Sequence, residues 1–151
     1  MSYTSESGRM QILEDTAAAV TEIDIAIEQL GEAYDHLDEH LADVLETDVF
    51  RPLQAAYGQL RRTQTDFAAR YGLTAREPAA TTMPAPSDPR IALEAAADAI
   101  ENGDRILSDL QDTMLPVEVG DRELRTGFSE VRQQLDPLPG ACDHLIATVG
   151  R

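Results

Sequence analysis

Residues 13–44, LEDTAAAVTEIDIAIEQLGEAYDHLDEHLADV, decide the fold. Steps of three and four from Leu13 land on Thr16, Val20, Ile23, Ile27, Leu30, Tyr34, Leu37, Leu41 and Val44. All but Thr16 are large and apolar. A half-buried strand would alternate; this spacing is the heptad repeat of a helix that presses one face against other helices. The stripe predicts a first helix from near Arg9 to Gln11 as far as about Glu46. Glu14 and Asp15 suit the positive end of its dipole. Gly31 lies off the stripe and costs about 1 kcal/mol relative to alanine, but the pattern continues around it.

The same spacing recurs three times. Phe50, Leu53, Tyr57, Leu60, Gln64, Phe67 and Tyr71 form a second stripe, ended by Gly72. Its phase does not continue from the first. A tight turn capped by Thr47 or Asp48, with Pro52 in the first turn of a new helix, accounts for the change. The alternative is one long bent helix, because Leu41, Leu45, Val49 and Leu53 form a local stripe of their own. A third stripe follows Ser87 or Asp88 as cap and Pro89: Leu93, Ala96, Ile100, Gly103, Leu107, Leu110 and Met114. Pro116 marks a turn. The fourth stripe begins near Gly120 or Asp121 and takes Leu124, Phe128, Val131, Leu135, Leu138, Cys142, Leu145 and Val149. Pro137, Pro139 and Gly140 interrupt it, so a kink or short break is expected, with the last turns still docked.

These patterns predict an all-α protein: an antiparallel four-helix bundle with a long first helix. Residues 1–9 read as a flexible N-terminus and 10–72 as a first helical hairpin. The Pro- and Ala-rich stretch 73–89 reads as a linker, and 90–151 as a second hairpin that packs with the first into one domain. The linker has no apolar period and could run along the bundle to place the next helix on the opposite side.

The formal net charge is −16, and every basic residue is arginine. Such a surface repels phosphate backbones and anionic lipid, which disfavours nucleic-acid and membrane partners and favours basic proteins or cations. An acidic surface also accompanies a salty cytoplasm or a biased genome. The lone Cys142 cannot form an internal disulfide and suits a reducing compartment. The opening MSYTSESGRM lacks a basic run before an apolar core, so a cytoplasmic location is expected.

Residues with chemical potential cluster on the first helix. His36 and His40 are four apart, so they share a helix face, and with Asp43 could hold a divalent metal. The heptad count puts them beside or outside the apolar seam, where a solvated pair is the simpler reading. The rows Glu28-x3-Glu32 and Asp35-x3-Glu39-x3-Asp43 resemble those of all-helical nucleotide pyrophosphatases. No matching acidic motif follows on the next helix, so that family is not assigned. Cys142 belongs to the fourth stripe and reads as a buried, inert thiol. There is no phosphate-binding glycine loop, and without lysine no Schiff-base chemistry.

Function is therefore expected to be noncatalytic: a protein-interaction, adaptor or regulatory role with no cofactor, in which apolar residues anchor and an acidic rim selects a basic partner. Ile25 and Leu45 lie off the seam and, with Glu32 and Glu39, are the expected interaction surface. The first stripe is longer than its neighbours can cover, which also favours a homodimer. The alternative is a metal-dependent hydrolase built on His36, His40 and Asp43.

Overall fold

A computed structural model describes residues 2–75 and 88–149, and all of their regular structure is helical. The elements are α1 (Ser2–Asp35), α2 (Glu39–Leu45), a π-helical turn (Glu46–Phe50), α3 (Arg51–Arg70), α4 (Pro89–Asp112), α5 (Leu115–Val119), α6 (Arg122–Leu135) and α7 (Leu138–Val149). The expected linker falls largely outside the described residues.

End-to-end contacts fix the topology. The Arg9 guanidinium lies 4.1 Å from the centre of the Tyr71 ring, so α3 returns to the starting end of α1. Gly8 faces Leu115 and Val119, so α4 finishes at that end too. Arg70 reaches Asp121, where α6 sets out in the opposite direction. Helix α1 packs between α3 and α4, and α6 lies between the same two. Every adjacent pair is thus antiparallel, while α3 and α4 run the same way across the diagonal. Ala75 and Asp88 therefore lie toward opposite ends of the bundle.

Helix α1 begins earlier than its apolar period predicts. Its first turns are held by packing the period does not register: Gly8 against α5, and Arg9 over Tyr71. It also ends earlier. His36 and Leu37 donate backbone N–H groups to Ala33 and Tyr34 in tight i→i−3 bonds. Asp38 then accepts from the Leu41 N–H at 2.9 Å and caps α2. The expected unbroken helix to Glu46 is therefore two helices with a turn between them.

No tight turn occurs at Pro52; the bent-helix alternative is the observed one. Phe50 and Arg51 keep right-handed helical angles, and the Arg51 N–H bonds five residues back to the Glu46 carbonyl. A proline has no N–H and its ring crowds the carbonyl four residues earlier. A wide turn just before it accommodates both defects. The break at Asp38 and the extra residue in that turn together produce the phase change between the two stripes.

The core is built on this framework. Leu13, Thr16, Val20, Ile23 and Leu30 are buried as expected, joined by Ile12, Ala19, Ala26 and Ala33. Tyr34, expected inward, is 43% exposed, because the seam facing α4 shifts onto the alanines. Helix α4 answers with Ala92, Ala96, Ala99 and Gly103, all buried. A Cβ on Gly103 would stand 3.4 Å from Ile23 Cγ1 and 3.6 Å from the Ala19 carbonyl oxygen. Small residues thus bring the α1 and α4 backbones close together. Asp88 caps α4 through the Arg90 N–H, with Pro89 in the first turn. Helices α6 and α7 divide at Asp136–Pro137, yet Leu138, Cys142 and Leu145 remain buried. Among the described residues no helix is long and apolar enough to cross a membrane.

Candidate functional site

Where α1 ends and the π turn begins, the bundle leaves a groove of about 480 Å³. Its apolar lining is Ile27 and Tyr34 from α1 and Phe50 from the π turn, with Gly31 between the first two. Residues 27, 31 and 34 share one helix face by their spacing of four and three. The rim is acidic: Glu28, Glu32 and Asp35 from α1 and Glu46 from the π turn. Arg51 approaches Glu46 at 3.5 Å, but the Arg51 side chain is largely in water and that of Glu46 is partly so. Such a pair is worth little and leaves the rim strongly negative. Another depression, of about 440 Å³ at the α6–α7 break, includes Glu101, Asp104, Arg105 and Asp136 and is more polar. The groove beside Tyr34 is better suited to an apolar anchor.

The opposite end of the bundle carries a buried ionic network that the sequence reading missed. Asp121, 5% exposed, caps α6 by accepting from the Leu124 N–H at 2.8 Å. It also accepts from Arg70 Nε at 3.0 Å, from a terminal Arg70 nitrogen at 2.7 Å and from the Tyr71 hydroxyl at 2.9 Å. Burial alone would raise the Asp121 pKa, but the bonds from Arg70, Leu124 and Tyr71 outweigh it and hold the carboxyl below its ordinary value. Tyr71 is pushed up by burial and by its bond to Asp121. Every partner in this network is internal, and its role is to join the ends of α3 and α6.

The expected site residues are dispersed. His36 lies in the turn after α1, while His40 and Asp43 are on α2, and all three are exposed. The helix break removes the shared face on which the metal reading rested. Among the described residues no group of three or more His, Cys, Asp or Glu side chains is placed to hold a metal ion. Leu45 is fully buried, because α2 restarts at Asp38 in a new phase and turns it inward. It is a core residue, not part of an interaction surface. Ile25 is half-buried against the core, and Glu39 is exposed on the first turn of α2. Glu32 alone of the expected interaction residues lines the groove. Phe50 and Glu46 complete it, and the signal that could have placed them was the phase slip before Pro52. Cys142 is fully buried, and burial, helped by Asp143, pushes its thiol up to about 12, which removes it as a nucleophile near neutral pH.

No protein-family model, curated protein or solved structure matches this chain.

Proposed function

We propose that this chain is a noncatalytic helical interaction protein that docks a basic, apolar-faced protein partner in the groove between α1 and the π turn. The observation that carries the reading is the pairing of an Ile27–Tyr34–Phe50 floor with four carboxylates around it. Burying apolar anchors supplies affinity, while the ring of charge speeds encounter and rejects acidic competitors. A second copy of this chain is a poorer occupant, because a net charge of −16 on each copy would set carboxylate against carboxylate. The buried single thiol fits a reducing compartment such as the cytoplasm.

The test uses two labelled synthetic peptides with the same leucine face, one flanked by arginine and one by glutamate. Fluorescence anisotropy should show the arginine peptide binding in a salt-dependent way, with affinity reduced by Phe50→Ala and by Glu28→Gln with Glu32→Gln. Equal binding of both peptides, or indifference to Phe50→Ala, rejects the reading.

A further inference from the structure

Gly31 lies within the helical run of α1, where glycine is destabilising, and the bundle gives no reason for it. A Cβ built at Gly31 meets nothing within 4 Å, and its φ is not in the left-handed region. Two other helical glycines mark crossings between long helices. Gly103 admits Ile23 of α1, and a Cβ on Gly127 would strike Thr63 of α3. Gly58 and Gly140 are likewise uncrossed, but neither lines the groove. At Gly31 the same small-residue surface faces an apolar floor that, among the described residues, no helix covers.

We infer that Gly31 sets what the groove admits, and that its occupant is an amphipathic helix with basic flanks, belonging to another protein, whose apolar ridge crosses α1 at Gly31. This rests on the docking function proposed above and adds the partner's conformation and the residue that selects it. The helical form follows from backbone chemistry. An extended segment laid across Ile27 and Phe50 would turn peptide groups toward an apolar floor, and the described residues offer no strand edge to pair with them. A helix satisfies its own backbone and needs only a small residue at the closest approach. The charge argument is the same rim: Glu28, Glu32, Asp35 and Glu46 flank the crossing and match arginine or lysine on either side of an apolar stripe.

Gly31→Ala adds a Cβ that meets no described atom within 4 Å, and Gly31→Leu fills groove space, both without a change of charge, so they separate shape from electrostatics. Gly58→Ala is the control, since its Cβ would meet only the flexible end of Arg62. Each alanine variant should raise the Tm by roughly 2–4 °C, the gain of removing a helix-interior glycine from a chain of this size. Titrated with the arginine-flanked leucine peptide, Gly31→Leu should bind about tenfold or more weakly, a loss of roughly 1.4 kcal/mol. Gly58→Ala should bind like the wild type. The peptide should gain helical circular dichroism on binding, and a proline at its centre should abolish binding.

A wild type that ignores the peptide sinks the docking function itself. If the wild type binds and Glu28→Gln with Glu32→Gln weakens it, but Gly31→Leu binds equally well, the docking function stands and the Gly31 inference falls. A peptide that binds without gaining helix overturns the inference as well. A wild-type dimer in sedimentation that Gly31→Leu dissociates would assign the groove to a second copy and overturn the choice of partner. Should Gly31→Leu prove unfolded, Gly31→Ala carries the comparison, with a smaller loss of affinity expected and unchanged affinity as the overturning result.

Discussion

Arg70 and Asp121 meet at 2.7 Å across the joint between α3 and α6, with the Asp121 side chain 4% exposed and that of Arg70 30% exposed. The same carboxylate caps α6 and accepts the Tyr71 hydroxyl. Asp121→Ala removes a cap and leaves the Arg70 guanidinium only its exposed partner Glu123, and should lower the unfolding free energy by about 2–3 kcal/mol. Asp121→Asn keeps the capping oxygen and should lose about half as much. Urea unfolding of the two variants beside wild type checks the order.

The network also sets the pH limits of stability. Asp121 titrates lower in the folded chain than in the unfolded one, so its contribution is complete above the ordinary carboxylate range and is lost as pH falls through the lowered value. Tyr71 titrates higher when folded, so its contribution is complete below about pH 10 and is lost as pH rises through the raised value. The stability gap between wild type and Asp121→Asn should therefore shrink below about pH 4, and that between wild type and Tyr71→Phe should shrink at alkaline pH. Urea midpoints measured across pH give both.

Gly127 and Thr63 are in closer contact than any side chain could share. A Cβ at Gly127 would stand 2.5 Å from Thr63 Oγ1 and 2.7 Å from its Cγ2. Gly127→Ala should therefore destabilise by about 1–3 kcal/mol, despite alanine's better helix propensity. Thr63→Ala removes both atoms, so the double variant should recover most of the loss. A double-mutant cycle from denaturant unfolding reads the coupling.

Leu45 and Ile25 test the revised surface. Leu45 is fully buried, and its replacement by alanine should cost about 2–4 kcal/mol. Ile25 is only half-buried, and Ile25→Ala should cost about 1 kcal/mol. Neither lines the groove, so anisotropy with the arginine peptide should be unchanged for whichever variants remain folded.

The period of large apolar residues made most of the bundle readable. Leu93, Ile100, Leu107, Phe128, Val131 and Leu135 are where the stripes put them, and the chain breaks at Pro137 as expected. Two kinds of information escaped. The first is small residues: Ala19, Ala26 and Ala33 carry little hydrophobic signal, yet the close approach at Gly103 draws them to the seam and leaves Tyr34 outside. The second is local backbone chemistry. Asp38 competes as a cap in the middle of a strong stripe, and the chain absorbs Pro52 with a wider turn instead of a stop. Both events adjoin the groove. Glu32 could be read as one of its acids, but Phe50 could not be placed opposite Tyr34 until the backbone between them was known. The Arg70–Asp121 pair, 51 positions apart, carries no local signature.

The π turn gives the chain a unit of slack. An α-helix advances about 100° per residue, so losing one residue from the body of α3, at exposed Gln54 for instance, would rotate Leu60 and Phe67 away from the core. Losing exposed Thr47 instead would let the wide turn close into an ordinary one, keeping the register after Pro52 while crowding its ring against the carbonyl four residues earlier. Chain length is negotiable here and rigidly specified on either side. The spare residue is not needed to fill the core; what it alters is the wall formed by Glu46 and Phe50. A chain shortened by that residue would keep its bundle and present a differently shaped cleft to whatever it meets.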